Sequence, residues 1–243
     1  RHASIELGGR SVKNKMVQMI MKSQVKNFAR FVVLTKSNVE EWDGVKNRNI
    51  IVIPNPLSFE SVEKSSLRNK KVIAVGTHSY NKGYDILLEI WKNIEKTYPD
   101  WQLEIYGKQD HGRRIEKLSK DLNLKNVSFF EPVSNIKSKY RESSVMVMTS
   151  RSEGFGMVLV EAMECGVPCI AFDCPSGPRD IINDKEDGIL VPLSDNACFT
   201  TSLSQLISNF ELRSRLGTHA KTNVMRFSQD SIVKQWDGLF KNL

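Results

Sequence analysis

Two short stretches of this 243-residue chain hold residue types suited to anions and hydroxyls. The first is Gly76-Thr77-His78-Ser79-Tyr80-Asn81-Lys82-Gly83, which follows an apolar run and precedes a helical pattern. Its glycines let backbone approach a ligand closely. Lys82 places an ammonium just ahead of a helix start, where N–H donors and the positive end of the helix dipole also gather. That combination suits a diphosphate. The spacing is neither that of a Walker A loop nor the G-x-G-x-x-G fingerprint, and a solvated lysine at a helix N-terminus accounts for it equally well. The second stretch is Ser152-Glu153-Gly154-Phe155-Gly156-Met157-Val158-Leu159-Val160-Glu161-Ala162-Met163. A carboxylate, a Gly-aromatic-Gly turn and a helix start come in that order, and Glu153 and Glu161 are expected to face one crevice. Compensation of the helix dipole, typically ~0.3–1 kcal/mol, accounts for Glu153. It does not account for Glu161, set in an apolar run where a carboxylate costs stability unless something pairs with it. A ribose diol has two suitable donors.

Loops of this kind act only if the elements beside them aim them. Apolar runs predict strands at residues 71–76, 102–106, 127–130, 145–148, 168–172 and 188–191. Between and after them, helical spacing covers 84–98, 113–122, 136–142, 158–164 and 231–240. Upstream, 31–34 and 50–53 read as strands around a helix at 38–45, and Pro54-Asn55-Pro56 stops regular structure because proline lacks the ladder donor. Strands alternating with helices, several apolar on both faces, predict an α/β fold: a Rossmann-like parallel sheet with helices on both faces. In such a sheet ligands bind at the carboxyl ends of strands, where both stretches lie. The expected organisation is a first unit at 1–56, a second at 57–228 with a linker at its start, and a terminal helix at 229–243.

The two carboxylates are spaced as in the E-x7-E motif of retaining GT-B glycosyltransferases, in particular the large family 4 (glycosyl transferases group 1). Val75-Gly76 followed by Lys82-Gly83-Tyr84-Asp85 resembles that family's strand-loop-helix with its K-G-x-D. Leu103-Glu104-Ile105-Tyr106-Gly107 resembles its second strand, Glu161-Ala162-Met163-Glu164-Cys165-Gly166-Val167-Pro168 its E-A-M-A-x-G-x-P, and Gly188-Ile189-Leu190-Val191 its G-x-L-V. Residues 31–56 resemble the end of the family's first Rossmann domain, and 231–243 the C-terminal helix that crosses back onto it. The resemblance implies the C-terminal, donor-binding half of a GT-B fold, with a remnant of the acceptor-side domain. It implies transfer of a hexose from a nucleotide-diphosphate sugar, most often uridine-linked, to a glycan or lipid-linked acceptor with retention, in cell-surface polysaccharide synthesis.

By that resemblance Glu161 holds the ribose hydroxyls and Glu153 the transferred sugar. Backbone N–H groups of Phe155, Gly156 and Met157 cradle the diphosphate with Lys82, and Glu153 and Lys82 are the catalytic residues. Gly76, Thr77, His78, Gly154 and Val158 complete the donor site, with no metal and no cofactor besides the donor. Negative charge grows on the departing diphosphate, and each fixed donor aimed at it is worth on the order of ~3 kcal/mol. The chain departs from the family after the first loop's glycine, where an arginine is common and Thr77-His78 stands here. His78, or Arg179 in Pro175-Ser176-Gly177-Pro178-Arg179, is the cation that could replace it; the alternative is a surface histidine and a surface arginine.

Composition narrows the classes. A hydrophobic share of 40% and a charged share of 26% are those of a globular domain. No stretch approaches the roughly 18 apolar residues of a membrane span. The start, without Met and without an apolar run, reads as that of a fragment with no signal peptide. Cys165, Cys169, Cys174 and Cys198 form no C-x-x-C pair and have no histidine at zinc spacing, so free thiols and a cytoplasmic location are expected. The net charge of +7 favours an anionic partner: nucleic acid, an anionic membrane surface or a phosphorylated small molecule. Arg10, Lys13, Lys15, Lys22, Lys26 and Arg30, interleaved with Val12, Met16, Met19, Ile20 and Phe28, make a basic amphipathic segment. It either lies peripherally on anionic lipid or packs on a core with its lysines solvated. Phe28 is its one aromatic residue, too few for base stacking, which argues against nucleic acid. A two-carboxylate hydrolase fits a phosphate-type loop poorly. A binding module without catalysis and a GT-B sugar-nucleotide epimerase are the competing readings. For the acceptor, His2 is the one faint candidate.

Overall fold

The strands predicted from apolar runs lie side by side in parallel, and the order in which they do so fixes where a ligand can sit. The computed structural model describes residues 19–20, 23–25, 28–42 and 49–243. His2, Arg10, Val12, Lys13, Lys15, Met16, Lys22, Lys26 and the expected helical residues 43–45 lie outside them.

A two-stranded parallel sheet comes first: β1 (Phe31–Val33) and β2 (Ile50–Val52), with α1 (Lys36–Glu41) between. The main sheet holds β3 (Lys71–Val75), β4 (Gln102–Tyr106), β5 (Val127–Phe130), β6 (Val145–Met148), β7 (Cys169–Asp173) and β8 (Gly188–Pro192). Its order is β5-β4-β3-β6-β7-β8, every pair parallel. The chain therefore runs outward from β3 to β5, returns to the middle at β6, and runs out the other way. At that reversal the loops after β3 and β6 lead into helices on opposite faces of the sheet, and in such folds ligands bind at the strands' carboxyl ends there.

Alternation along each strand sends successive side chains to opposite faces. Val72 and Ala74, with Val145 and Val147, pack against Leu87, Leu88, Trp91 and Ile94 of α2 (Tyr84–Thr97) and Phe199 and Leu203 of α7 (Asn196–Ser208). Ile73 and Met146 face the other way, onto Leu159, Val160 and Met163 of α5 (Met157–Glu164). The architecture is the expected parallel α/β sheet covered on both faces. The remaining helices are α3 (Arg114–Asp121), α4 (Ile136–Arg141), α6 (Pro178–Ile181), α8 (Phe210–Asn223) and α9 (Gln229–Lys241).

Element ends depart from the periodicity where caps decide. α1 opens before residue 38 because Thr35 Oγ1 accepts the Asn38 N–H at 3.0 Å, and α9 opens before 231 because Ser228 Oγ accepts from Ser231. The segments at 196–208 and 210–223 carry no predicted element, yet both are helical. The Ser- and Thr-rich run Thr200-Thr201-Ser202 and the buried Arg213 and Gly217 blur an apolar stripe that only packing restores. The four thiols are free, with Cys165, Cys169 and Cys174 buried. Among the described residues no helix is long and apolar enough to cross a membrane, and no group of acidic, His and Cys side chains is arranged to hold a metal ion.

Candidate functional site

The two loops sit against each other residue by residue. After β3 the chain passes Gly76, exposed Thr77 and buried His78, and enters a 3-10 turn at Tyr80–Lys82. Gly83 ends that turn with φ +65°, and a Cβ built there would stand 2.0 Å from the Thr149 carbonyl oxygen. Only glycine lets the turn close onto the end of β6. Thr149 Oγ1 donates back to the Gly83 carbonyl at 3.0 Å. Two residues on, the Arg151 N–H donates to the Asn81 carbonyl at 2.8 Å. Asn81 and Ser152 exchange two further bonds, Nδ2 to the Ser152 carbonyl at 2.7 Å and Ser152 Oγ to Asn81 Oδ1 at 2.8 Å. The Arg151 guanidinium grips both Asp85 carboxylate oxygens at 2.9 and 2.6 Å and lies 3.9 Å from the Tyr80 ring centroid. Asp85 is thereby held below the usual carboxylate range, chiefly by the bond from Arg151.

Within this clasp Lys82 Nζ donates to Glu153 Oε1 at 2.7 Å. Glu153 is only 8% exposed and takes a second donor, Ser150 Oγ, on the same oxygen. Burial and the nearby Glu153 charge push the Tyr84 phenol well above its ordinary range, so it stays protonated and donates to the Gly76 carbonyl at 3.1 Å. Downstream of Glu153 and half-buried Gly154, Phe155 is buried edge-on against Phe227 at 5.6 Å. Gly156 then caps α5 with φ +103°, a left-handed conformation that suits glycine. Met157 and Val158, both half-buried, open the helix. The first N–H groups of an α-helix have no intrahelical acceptor and carry the positive end of its dipole. A half-buried ammonium and a helix N-terminus thus lie at the carboxyl ends of the central strands, and both are groups that suit an anion.

The two glutamates differ in burial and in partners. Glu153, which dipole compensation alone would satisfy, is the buried and ion-paired one. Glu161, whose apolar run calls for something to pair with it, is half-buried and has two partners within the chain. Ser58 Oγ donates to its Oε1 at 2.8 Å and the Tyr140 hydroxyl to its Oε2 at 3.1 Å. The carboxylate in the apolar run is thus tolerated without a ligand, while a carboxylate's two oxygens keep further acceptor capacity.

Of the two expected substitutes for the family's arginine, His78 is held uncharged and Arg179 is paired with an acid. His78 is 4% exposed, edge-on to Tyr84 at 5.3 Å and to Phe129 at 5.9 Å. Its Nε2 has no hydrogen-bond partner among the described residues. Burial lowers its pKa, outweighing the opposing pull of Asp110, Glu116 and Glu131, so the ring is neutral. It lines a cavity of about 200 Å³ with Tyr80, Asp85, Asp110 and Arg114, not a solvated loop surface. Arg179 is exposed and engaged by Asp173, Nε and Nη2 each at 2.8 Å. Arg151, Asn81, Ser152, Tyr140 and Ser58 were not singled out by the sequence. Asp85 in the K-G-x-D stretch was the available signal for Arg151, as an acid awaiting a cation. Nothing in the sequence marked Ser58, which lies in the expected linker.

Residues 58–223, more than half of the chain, match the family model described as Glycosyl transferases group 1. The chain belongs to that family. It is 38% identical over 173 residues to the amylovoran biosynthesis glycosyltransferase AmsD of Erwinia amylovora, covering 71% of this chain and 48% of that protein. It is 30% identical over 230 residues to an uncharacterized glycosyltransferase of Haemophilus influenzae, covering 93% of this chain and 65% of the relative. The chain thus spans from about half to just under two thirds of the length of these glycosyltransferases. The fold superposes with a TM-score of 0.84, at 24% identity, on a crystal structure of an S. aureus TarM variant in complex with fondaparinux, alpha-GlcNAc-glycerol and UDP. That match covers 97% of this chain and 48% of TarM, and it establishes the shared GT-B-type fold.

Proposed function

We propose that the protein transfers a hexose from a nucleotide-diphosphate sugar to a glycan or lipid-linked acceptor, with retention of configuration, as a family 4 enzyme of cell-surface polysaccharide synthesis. The observation that carries this reading is the partly buried Lys82–Glu153 pair, 2.7 Å apart, beside the N-terminus of α5. As the bond from sugar to phosphate breaks, negative charge grows on the departing diphosphate. Lys82 and the N–H groups of Phe155, Gly156 and Met157 supply positive charge and donors for it. Glu153, already desolvated, accepts hydroxyls of the transferred sugar. Glu161 accepts those of the ribose, and Gly76, Thr77, Gly154 and Val158 line the rest of the donor site. His78 serves this site as a neutral ring behind the first loop. UDP in the TarM complex and the polysaccharide pathway in the name AmsD support a uridine-linked donor and a glycan product.

In this reading residues 57–228 form the donor domain and 1–56 close the acceptor-side domain. Residues 229–243 form the helix that returns to that domain, and α9 meets β2 through Ile232, Leu239 and Ile51. The net charge of +7 serves an anionic donor, and it also suits peripheral contact with an anionic membrane carrying a lipid-linked acceptor at the cytoplasmic face.

Thermal unfolding with and without UDP tests the site. UDP at about 100 times its dissociation constant adds about 2.7 kcal/mol, which raises the midpoint by roughly 5–10 °C for a chain of this size. Lys82→Gln is expected to lose most of that shift while remaining folded. Absence of any shift with uridine, guanosine and adenosine diphosphates would sink the proposal.

A further inference from the structure

Glu161 stands in the second turn of α5, and its two oxygens are held by different parts of the chain. Ser58 Oγ reaches Oε1 at 2.8 Å from the segment that joins β2 to β3. The Tyr140 hydroxyl reaches Oε2 at 3.1 Å from the end of α4. Tyr140 is wholly buried, packed in the core on the α5 face of the sheet, so its ring cannot swing away. Burial and the adjacent Glu161 charge hold its phenol well above the ordinary range, and it remains a donor at any physiological pH. The terminal torsion of a free glutamate is broad. Two donors on opposite oxygens fix the plane of this carboxylate instead. Each oxygen still has a lone pair to offer, and together they form an acceptor pair matched to two neighbouring hydroxyls.

We infer that Tyr140 and Ser58 are positioning residues that hold Glu161 ready for a vicinal diol, and that they set the preference of this site for a ribonucleotide over a nucleotide lacking those hydroxyls. This rests on Glu161 being the ribose acceptor of the proposed donor site. The support is pre-organisation: a side chain already locked by its neighbours does not lose that freedom on binding.

Titration calorimetry of the intact protein with UDP and with 2′,3′-dideoxy-UDP tests the inference, using wild type, Tyr140→Phe and Ser58→Ala. Tyr140→Phe keeps the ring that fills the core, and Ser58 is exposed, so both variants are expected to fold. Each removes one hydrogen bond and should weaken UDP by about threefold to tenfold, with the dideoxy ligand changed less than about twofold. The wild-type preference for UDP therefore narrows in each variant. An equal loss for both ligands would show that the two hydroxyls merely maintain the fold, and no loss for either would show that they do nothing for binding; both results overturn the inference. A wild type that binds the two ligands equally well overturns the ribose role of Glu161 itself. A wild type that binds neither removes the donor site and this inference with it.

Discussion

A neutral, buried histidine occupies the position next to the one where the family resemblance leads one to expect a cation. Its cost is paid in protonation. The folded-state pKa of His78 lies below that of the unfolded chain because burial disfavours the imidazolium. Between the two values the unfolded chain holds the extra proton. The stability contributed by the neutral ring is therefore intact above the unfolded-state pKa of about 6.5, and is lost as pH falls through it towards the folded value. Urea midpoints measured from about pH 7.5 down to pH 5 should fall further for the wild type than for His78→Gln, which has no group titrating there. Parallel curves for the two proteins would mean that the ring is not held neutral. The charge that the first loop does contribute comes from Lys82, and it is neutralised in the resting site by Glu153. Loss of one partner alone would leave a desolvated charge, which is costlier than loss of both.

At the scale of elements, the site is made by the clasp between the β3–α2 loop and the β6–α5 loop. Asn81 meets Arg151 and Ser152, Lys82 meets Glu153, and Asp85 meets Arg151. At Gly83 a side chain would run into the Thr149 carbonyl, so a glycine there lets the loops close. Gly83→Ala is expected to destabilise the protein by at least about 1–3 kcal/mol, the usual cost of forcing a side chain into a left-handed backbone conformation, with the contact on the Thr149 carbonyl added. Denaturant unfolding measures the loss. Hydrogen exchange should speed up in residues 149–153 more than in β4 or β5, and protection unchanged there would show that the clasp does not depend on this contact. Asn81, Ser152 and Arg151 have no chemistry of their own to advertise, so their part in the site emerges only when the two loops meet.

Across the whole molecule, the C-terminal helix ties the last residues of the chain to its first described sheet. Ile232 and Leu239 of α9 bury against Ile53, with Val32, Ile51 and Trp236 around them. On the outer side of the same helix Phe240 is 62% exposed and stacks on Trp236 at 5.7 Å. Leu239→Ala should lower stability by about 2–3 kcal/mol, as a buried leucine truncated near a cluster edge does. Phe240→Ser should change it by less than about 0.5 kcal/mol, as substitutions at exposed positions usually do. Equal effects in denaturant unfolding would place α9 differently from the packing described above.

The apolar runs at β3 to β8 were legible by themselves, because a strand covered on both faces needs continuous hydrophobicity and its length shows in the sequence. So were the two ligand-type loops and the E-x7-E spacing, since glycine, lysine and glutamate at helix starts have local causes. Helices α7 and α8 were not legible. The buried face of α8 includes Arg213 and Gly217, and Arg213 is satisfied there only by packing: it donates to the carbonyls of Leu206 and Ile207 at the end of α7 and to that of the distant Leu67. The tertiary structure alone decided that β3 and β6 lie side by side, so that loops 71 residues apart in sequence bond to each other. It alone decided that Glu153 is the desolvated carboxylate and that Glu161 is gripped by a linker serine and a core tyrosine. Residue types state which interactions a side chain can make. Burial and partners, which set the energy of a charge, are properties of the folded surroundings.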